Sequence, residues 1–203
     1  MSTSAKTYGD PETRRRILDA TWELLEEHGS SIKLAEAGDK AGVSRQAVYL
    51  HFGDRSGLLV ALVDHIDRSL GSVRLREHVF GAPTGVESLR RWVDTMAWYT
   101  AKINRVSQVL EGAQHEDEAL AAAWRNRMNR RQDLLHQHVT ERIAAEGRLA
   151  EQWSIDDAAA LIYVITMPGP WRELTQELGW TPEEYSEHIW RLFERSLLTN
   201  TTQ

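Results

Sequence analysis

A short polar helix predicted after Ser44 carries the side chains with the clearest chemistry in this chain. Arginine and glutamine can each form two hydrogen bonds to a purine edge, and small apolar groups suit thymine methyls. The predicted helix places side chains of these kinds, together with a tyrosine and a histidine, outside its apolar face: Arg45, Gln46, Ala47, Tyr49, Leu50 and His51. The pattern predicts a helix that enters the major groove of DNA, with Arg45 and Gln46 as the leading base readers.

This helix is the second of two, and a tight turn separates them. The first is predicted from about Lys33 to Ala41, with alanine and leucine side chains along one face. Gly42 suits the left-handed backbone that ends a helix, and Ser44 is a good N-cap for the next one. Val48 and Phe52, four residues apart, are predicted to face inward. Two short helices in this order indicate a helix-turn-helix.

The run AGVSRQAVYLHFGDRSGLL, residues 41–59, resembles the DNA-binding core of tetracycline-repressor (TetR) family regulators. The family pattern has Ala-Gly-Val-Ser, then Tyr-x-His-Phe, a short polar turn and Leu-Leu, in this order and at this spacing. The resemblance covers about residues 12–63. Lys33, Ala37 and Gly38 depart from it, since the family usually has Thr or Ser, a larger aliphatic residue and Ala there.

The resemblance implies further contacts and an assembly. Tyr49, His51 and Arg55 match family positions that contact phosphate, and the helix of about residues 55–70 matches the family's connecting helix. A dimer would place two reading helices on one face of a duplex, one helical turn apart, and so read a palindrome. The full predicted DNA-binding set is Lys33, Ser44, Arg45, Gln46, Ala47, Tyr49, Leu50, His51 and Arg55.

Composition sets limits on the class of protein. The chain has 203 residues, a net charge of −6 and no cysteine. Because phosphate binding depends on local placement, the overall acidity does not exclude DNA; Arg14, Arg15 and Arg16 cluster near the start of the first helix. No apolar run approaches the length of a membrane span, and no secretion signal is visible. We therefore expect a cytoplasmic protein with no membrane partner.

The whole chain favours an all-α fold of about nine helices. The first helix is predicted from Pro11 to about His28, ended by Gly29. We predict a helix-turn-helix domain at residues 10–70, a linker at about 71–83 and a helical ligand-binding and dimerisation domain at residues 71–203. That second part is predicted to hold separate helices at about 84–103 and 105–113, one long helix at 115–146 and a helix at 171–179.

Aromatic and methionine residues are frequent in the second domain. Such side chains around a helical cavity suit a hydrophobic or aromatic ligand; the alternative is that most of them are ordinary core. The candidate lining residues are Trp92, Met96, Tyr99, Trp124, Met128, Tyr163, Met167 and Trp171.

Two faces of the last two predicted helices are apolar, and a small helical domain cannot bury both. One face is predicted to pair with a second copy in a four-helix interface, as the resemblance implies; the alternative is that it faces the chain's own core. The candidate interface residues are Leu161, Ile165, Ile189, Phe193 and Leu197.

Nothing in the sequence favours an enzyme, a cofactor or a metal. The histidines lack helical ligand spacing, and no phosphate-binding loop or nucleophile motif is present. We predict a homodimeric repressor released from a palindromic operator by a small hydrophobic or aromatic effector. The alternatives are a ligand-independent regulator or an activator, or an all-α enzyme or small-molecule-binding protein in which the helix-turn-helix is structural.

Overall fold

The computed structural model describes residues 10–28, 32–113, 115 and 118–199, and the described backbone is helical throughout its regular parts. The only β-type pairing in these ranges is an isolated bridge between Leu149 and Leu198. The all-α prediction is confirmed. The α-helices described are α1 Pro11–His28, α2 Leu34–Ala41, α3 Arg45–Phe52, α4 Arg55–Ser69, α5 Ser72–Phe80, α6 Gly85–Ala113, α7 Glu118–Leu135, α8 Glu141–Ala145, α9 Ile155–Ile165, α10 Pro168–Arg172 and α11 Pro182–Leu197.

Two π-helical turns join some of these helices into longer runs. His136–Thr140 connects α7 to α8, and Glu173–Glu177 continues α10. When each continuous run is counted once, the described residues form ten helices, against about nine predicted. No helix in the described ranges is long and apolar enough to cross a membrane.

The chain forms two compact units. The first comprises the residues up to Leu70 together with Arg105–Arg125, and the second comprises Gly71–Asn104 and the residues from Asn126 onward. The predicted division at residue 70 falls at the same place. Residues 105–125, however, which the sequence analysis assigns to the second domain, belong to the first unit.

The core of the first unit explains how α3 is held. The predicted apolar stripe of α1 is buried, with Ile17 and Leu25 fully covered. From α3, Val48 and Phe52 point into the same core, as predicted, and α4 adds three fully buried leucines, at positions 58, 59 and 62. Because α1, α2 and α4 all pack around it, α3 is fixed by its inner face and presents its outer face to solvent.

Three helix predictions after residue 70 are wrong in their boundaries, and one is confirmed. Residues 71–83 are not a linker, since α5 occupies Ser72–Phe80 and buries Val79. The predicted break near Arg105 does not occur: α6 runs unbroken for 29 residues, and the sequence there contains neither glycine nor proline to end it. The long helix predicted at 115–146 is continuous from Glu118 to Ala145, with one π-helical turn inside it. A helix resumes at Pro168 rather than Trp171, because proline is well suited to the first helical position.

The start of α11 follows the predicted capping signals. The Thr181 hydroxyl accepts a hydrogen bond from the Glu184 amide at 3.1 Å, and the Glu184 carboxylate accepts one from the Thr181 amide at 2.9 Å. The second unit has one hydrophobic core, to which α6, α9 and α11 contribute Trp92, Ile162 and Phe193 among others. The predicted end of α1 at Gly29 lies outside the described residues.

Candidate nucleic-acid interface

The turn between α2 and α3 has the geometry that the sequence predicts. Gly42 adopts the left-handed conformation at φ 67°, and the Val43 amide donates to the Gly38 carbonyl oxygen at 2.9 Å. The Ser44 Oγ then accepts a hydrogen bond from the Ala47 amide at 3.1 Å and so caps α3. These local bonds set the angle at which α3 leaves α2.

The outer face of α3 carries the predicted base readers. Arg45 and Gln46 are exposed, and Tyr49 and Leu50 keep 60% and 51% of their surface accessible, whereas Val48 on the inner face keeps none. Covering these two side chains with a partner would remove apolar surface from water, which favours binding. The face therefore combines an arginine, an amide and a hydroxyl with exposed apolar surface, as a reader of base edges and phosphates requires.

The remaining predicted DNA-binding residues flank this face. Lys33 and Ser44 are exposed, and Ala47, His51 and Arg55 are partly buried. Lys33 precedes α2, and its backbone amide donates to the Glu36 carboxylate at 2.9 Å. Arg55 begins α4, which the Asp54 carboxylate caps by accepting from the Gly57 amide at 2.7 Å. The lysine and both arginines of the set therefore lie at the beginnings of the three helices α2, α3 and α4.

Arg14 has a structural position that the sequence does not reveal. Its Nη1 donates to the His51 carbonyl oxygen at 2.9 Å, and its guanidinium lies 4.4 Å from the centre of the Phe52 ring. Arg14 thereby fastens α1 to the end of α3. Of the three clustered arginines, Arg15 and Arg16 remain exposed, and they are the better candidates for phosphate contact.

We expect Arg14→Ala to lower the free energy of unfolding by about 1–3 kcal/mol, because it removes a charged hydrogen bond and a ring contact. Arg15→Ala, one residue away on the exposed side, is expected to change it by less than about 0.5 kcal/mol. Urea denaturation of the two variants measures the difference. Equal stability would mean that the Arg14 contact with α3 is unimportant.

Two cations contact the C-terminal end of α1. Lys40 of α2 pairs with Glu27 at 2.7 Å and Glu23 at 3.4 Å, and the hydrogen bond to Glu27 raises the pKa of Lys40. Arg105 of α6 donates to the backbone carbonyl oxygen of Glu26, where a cation also complements the helix dipole. Lys40 therefore offsets the charge of two of the glutamates of α1, and Arg105 satisfies a carbonyl at its end.

The predicted ligand-lining residues are divided between the two units. Trp124 belongs to the first unit, because residues 105–125 do. The others lie in the second unit: four are buried, Trp92, Tyr99, Met128 and Trp171, and three are partly buried, Met96, Tyr163 and Met167. Sequence reasoning missed Arg131, which contacts Trp92 and Thr166. In the sequence Arg131 stands in an arginine-rich stretch, and such stretches are typical of a charged, solvent-exposed helix face.

The predicted dimer interface needs a correction. Ile189, Phe193 and Leu197 are at most 5% exposed because they face the chain's own core, the alternative that the sequence left open. Leu161 and Ile165 are partly buried. The open apolar side chains of α9 and α11 are instead Val164 and Leu192. Periodicity identified the two apolar faces of these helices but not which of them turns inward.

Comparison with known proteins agrees with this site. Residues 17–62 match the family model of "Bacterial regulatory proteins, tetR family". The HTH-type transcriptional regulator AcrR of Shigella flexneri is 38% identical over 65 residues, which are 32% of this chain and 30% of that protein. The match thus spans less than a third of AcrR, and it is confined to 65 residues.

Solved structures extend the likeness to nearly the whole chain at the level of the fold. The SmeT–triclosan complex has a TM-score of 0.73 at 18% identity, covering 94% of this chain and 93% of that one. NalD, the secondary repressor of the MexAB-OprM multidrug efflux pump in Pseudomonas aeruginosa, has a TM-score of 0.67 at 22% identity, covering 94% and 97%. The fatty acid degradation regulator FadR from Bacillus halodurans has a TM-score of 0.67 at 16% identity, with both chains fully covered.

The helix-turn-helix, its exposed outer face and the match over residues 17–62 are those of a DNA-binding domain. Residues 17–62 match the DNA-binding domain of the tetR family of bacterial regulatory proteins, and nearly the whole chain shares its fold with a solved structure described as a putative TetR-family transcriptional regulator from Rhodococcus sp..

Proposed function

We propose that the chain acts as a homodimeric repressor that leaves a palindromic operator when a small hydrophobic or aromatic molecule binds its second unit. The observation that carries the DNA-binding part is the outer face of α3, where Arg45, Gln46, Tyr49 and Leu50 are all open to solvent. A rigid helix with these side chains at its exposed face matches the chemistry of base edges and the backbone.

Repression and release are supported by the proteins that share the fold. NalD is a repressor of a multidrug efflux pump, and SmeT was solved with triclosan, an aromatic molecule. The second unit of this chain is rich in buried aromatic side chains, among them Trp92, Tyr99 and Trp171. An aromatic or hydrophobic effector is the ligand class that such surroundings favour.

A continuous helix provides a physical route from effector to DNA. The N-terminal part of α6 belongs to the second unit, and its part from Arg105 onward belongs to the first. In the first unit, Arg105 holds the C-terminal end of α1 through the Glu26 carbonyl. A ligand that binds with unequal affinity to two conformations that differ in the position of α6 would change the fraction of chains whose helix-turn-helix can bind the operator.

The dimer surface we propose uses the open apolar side chains of the last two long helices. Val164 keeps 55% and Leu192 keeps 46% of its surface accessible, and Leu161 and Ile165 lie partly exposed on α9. A two-fold axis through this surface would bring the same residues of two copies together, as an isologous interface requires.

A gel-shift titration with the DNA that flanks the chain's own gene tests this proposal. We expect a complex that survives excess non-specific competitor and weakens steeply with added salt. An effector from a panel of hydrophobic and aromatic compounds should then dissociate it. A complex that forms but resists every compound would favour a ligand-independent regulator, and the lack of any competitor-resistant complex would contradict the proposal.

We expect Tyr49→Phe to weaken binding to operator and non-operator DNA by a similar factor of roughly 3 to 10, because one phosphate hydrogen bond of about 0.5–1.5 kcal/mol is lost. Parallel titrations of both DNAs measure the two factors. A changed preference between bases would instead assign the Tyr49 hydroxyl to base reading.

A further inference from the structure

Arg131 of α7 lies inside the second unit without a full set of partners. Its Nη2 donates to the Thr166 carbonyl oxygen and contacts the Thr166 hydroxyl at 3.2 Å, and its guanidinium lies 5.4 Å from the centre of the Trp92 ring. Its Nε is covered and has no hydrogen-bond acceptor, although the residue keeps some exposure. A covered guanidinium donor without an acceptor is unusual, because burying it costs free energy.

The charge of Arg131 is not balanced by an acid. Among the described residues no carboxylate forms an ion pair with it, and the positive charge of Arg127 acts against its own. Burial lowers the pKa of Arg131 to about 10, so that it remains charged at neutral pH. The C-terminal end of α9, which Arg131 contacts at Thr166, supplies the equivalent of only about half an elementary negative charge.

The tyrosines around Arg131 cannot supply the missing anion. Burial raises the pKa of Tyr185 to about 12 and raises the pKa of Tyr163 as well. Both phenols are therefore neutral near pH 7. The Tyr185 hydroxyl donates to the Ile165 carbonyl oxygen at 2.9 Å, and the Tyr99 hydroxyl accepts from Arg127 at 2.6 Å.

We propose that Arg131 binds the acidic group of the effector, so that the effector is an organic monoanion with an aromatic or aliphatic body. This inference rests on the proposed function, because it assigns the ligand of that same second unit. A carboxylate suits the guanidinium fork, since it can accept from Nε and a terminal nitrogen together. Trp92, whose ring the guanidinium already faces, and Tyr99 supply apolar surface for the body.

A second covered donor supports the same chemistry. The indole nitrogen of Trp171 is also buried without an acceptor, in the same hydrophobic core as Trp92. Two donors that lack acceptors within one core are better suited to a ligand that brings oxygen atoms than to a hydrocarbon. The opposing explanation is that Arg131 only holds the end of α9 through Thr166.

Matched acids and amides separate these explanations in the unmodified protein. We would measure, by isothermal titration calorimetry at pH 7, the binding of benzoate, 2-naphthoate and octanoate and of their primary amides. We expect at least one acid to bind about tenfold or more tightly than its amide, the factor that one charge-assisted hydrogen bond provides. Amides that bind as tightly as their acids, or no binding by any of the acids at millimolar concentration, would overturn the anion assignment.

Variants assign the preference to a residue. Arg131→Gln is expected to abolish the preference for acids, and Arg131→Lys to retain part of it because the positive charge remains. Arg130→Gln, an exposed neighbour on the same helix, is the matched control and should bind like the unmodified chain. Retention of the full acid preference by folded Arg131→Gln would contradict the proposal. If a neutral compound releases the operator while no acid binds, the proposed function stands and only this inference fails.

Discussion

Gly57→Ala is expected to lower the free energy of unfolding of the first unit by about 1–3 kcal/mol or more, the range for overpacked sites. A Cβ at this position would lie 2.0 Å from the carbonyl oxygen of Phe52 and 3.2 Å from its carbonyl carbon. Both atoms are backbone, so no rotamer change can relieve the overlap. The start of α4 would have to move away from the end of α3, which also disturbs the cap between Asp54 and Gly57.

Chemical denaturation and operator titration of Gly57→Ala measure the loss. The matched control is Gly112→Ala: Gly112 lies in α6, in the part that belongs to the first unit, and a Cβ there meets no heavy atom within 4 Å. Because alanine favours a helix over glycine by up to about 1 kcal/mol, the control should be neutral or stabilising. Equal stability of both variants would mean that α3 and α4 are not in the close contact described above.

Arg45→Ala is expected to remove base preference at one position of each half-site, at about 1–3 kcal/mol of discrimination. Arg45 is exposed in the first turn of α3, where side chains of a reading helix approach base edges. Competition with operators that carry single base-pair changes gives the preference at every position. A variant that keeps the unmodified preference everywhere would remove Arg45 from the readers.

Arg16→Ala is the control for that experiment. Arg16 is an exposed arginine of α1, so that the same charge is lost from a different helix. We expect it to weaken binding to all DNA sequences equally, or not at all, because phosphate contacts carry no sequence information directly. A loss of preference at one base pair in this variant would place α1 rather than α3 at the bases.

Local signals made the helix-turn-helix largely predictable. Gly42 ends α2 and Ser44 caps α3 through bonds between residues at most five apart, and such bonds follow from residue type and spacing. The inward direction of Val48 and Phe52 follows from their helical spacing. By contrast, Arg14 contacts a carbonyl 37 residues away, and nothing in the spacing of the three arginines indicates which of them does so.

Close packing also exceeds what a sequence pattern reveals. Gly38 looks like a weak point in α2, since glycine disfavours a helix. A Cβ there would lie 3.0 Å from the Val43 carbonyl oxygen and 3.2 Å from a Val48 methyl. Glycine is used because α2 and α3 approach so closely, and that distance is a property of the folded chain.

The second unit was less predictable because its helices offer more than one apolar face. On α11, Phe193 and Leu192 are equally apolar, yet the first is fully buried and the second is 46% exposed. The choice depends on packing against α6 and α9, which periodicity cannot supply. For the same reason the sequence gives no indication that the Nε of Arg131 is covered.

Selection of binding sites from a pool of random duplex DNA tests the central claim, that the outer face of α3 reads base sequence, most directly. We expect the unmodified chain to enrich a palindrome whose half-sites are about one helical turn apart. The chain with Arg45→Ala should enrich the same palindrome with one base pair per half-site no longer specified. Enrichment of no sequence by the unmodified chain, despite salt-sensitive binding to DNA in general, would contradict the account.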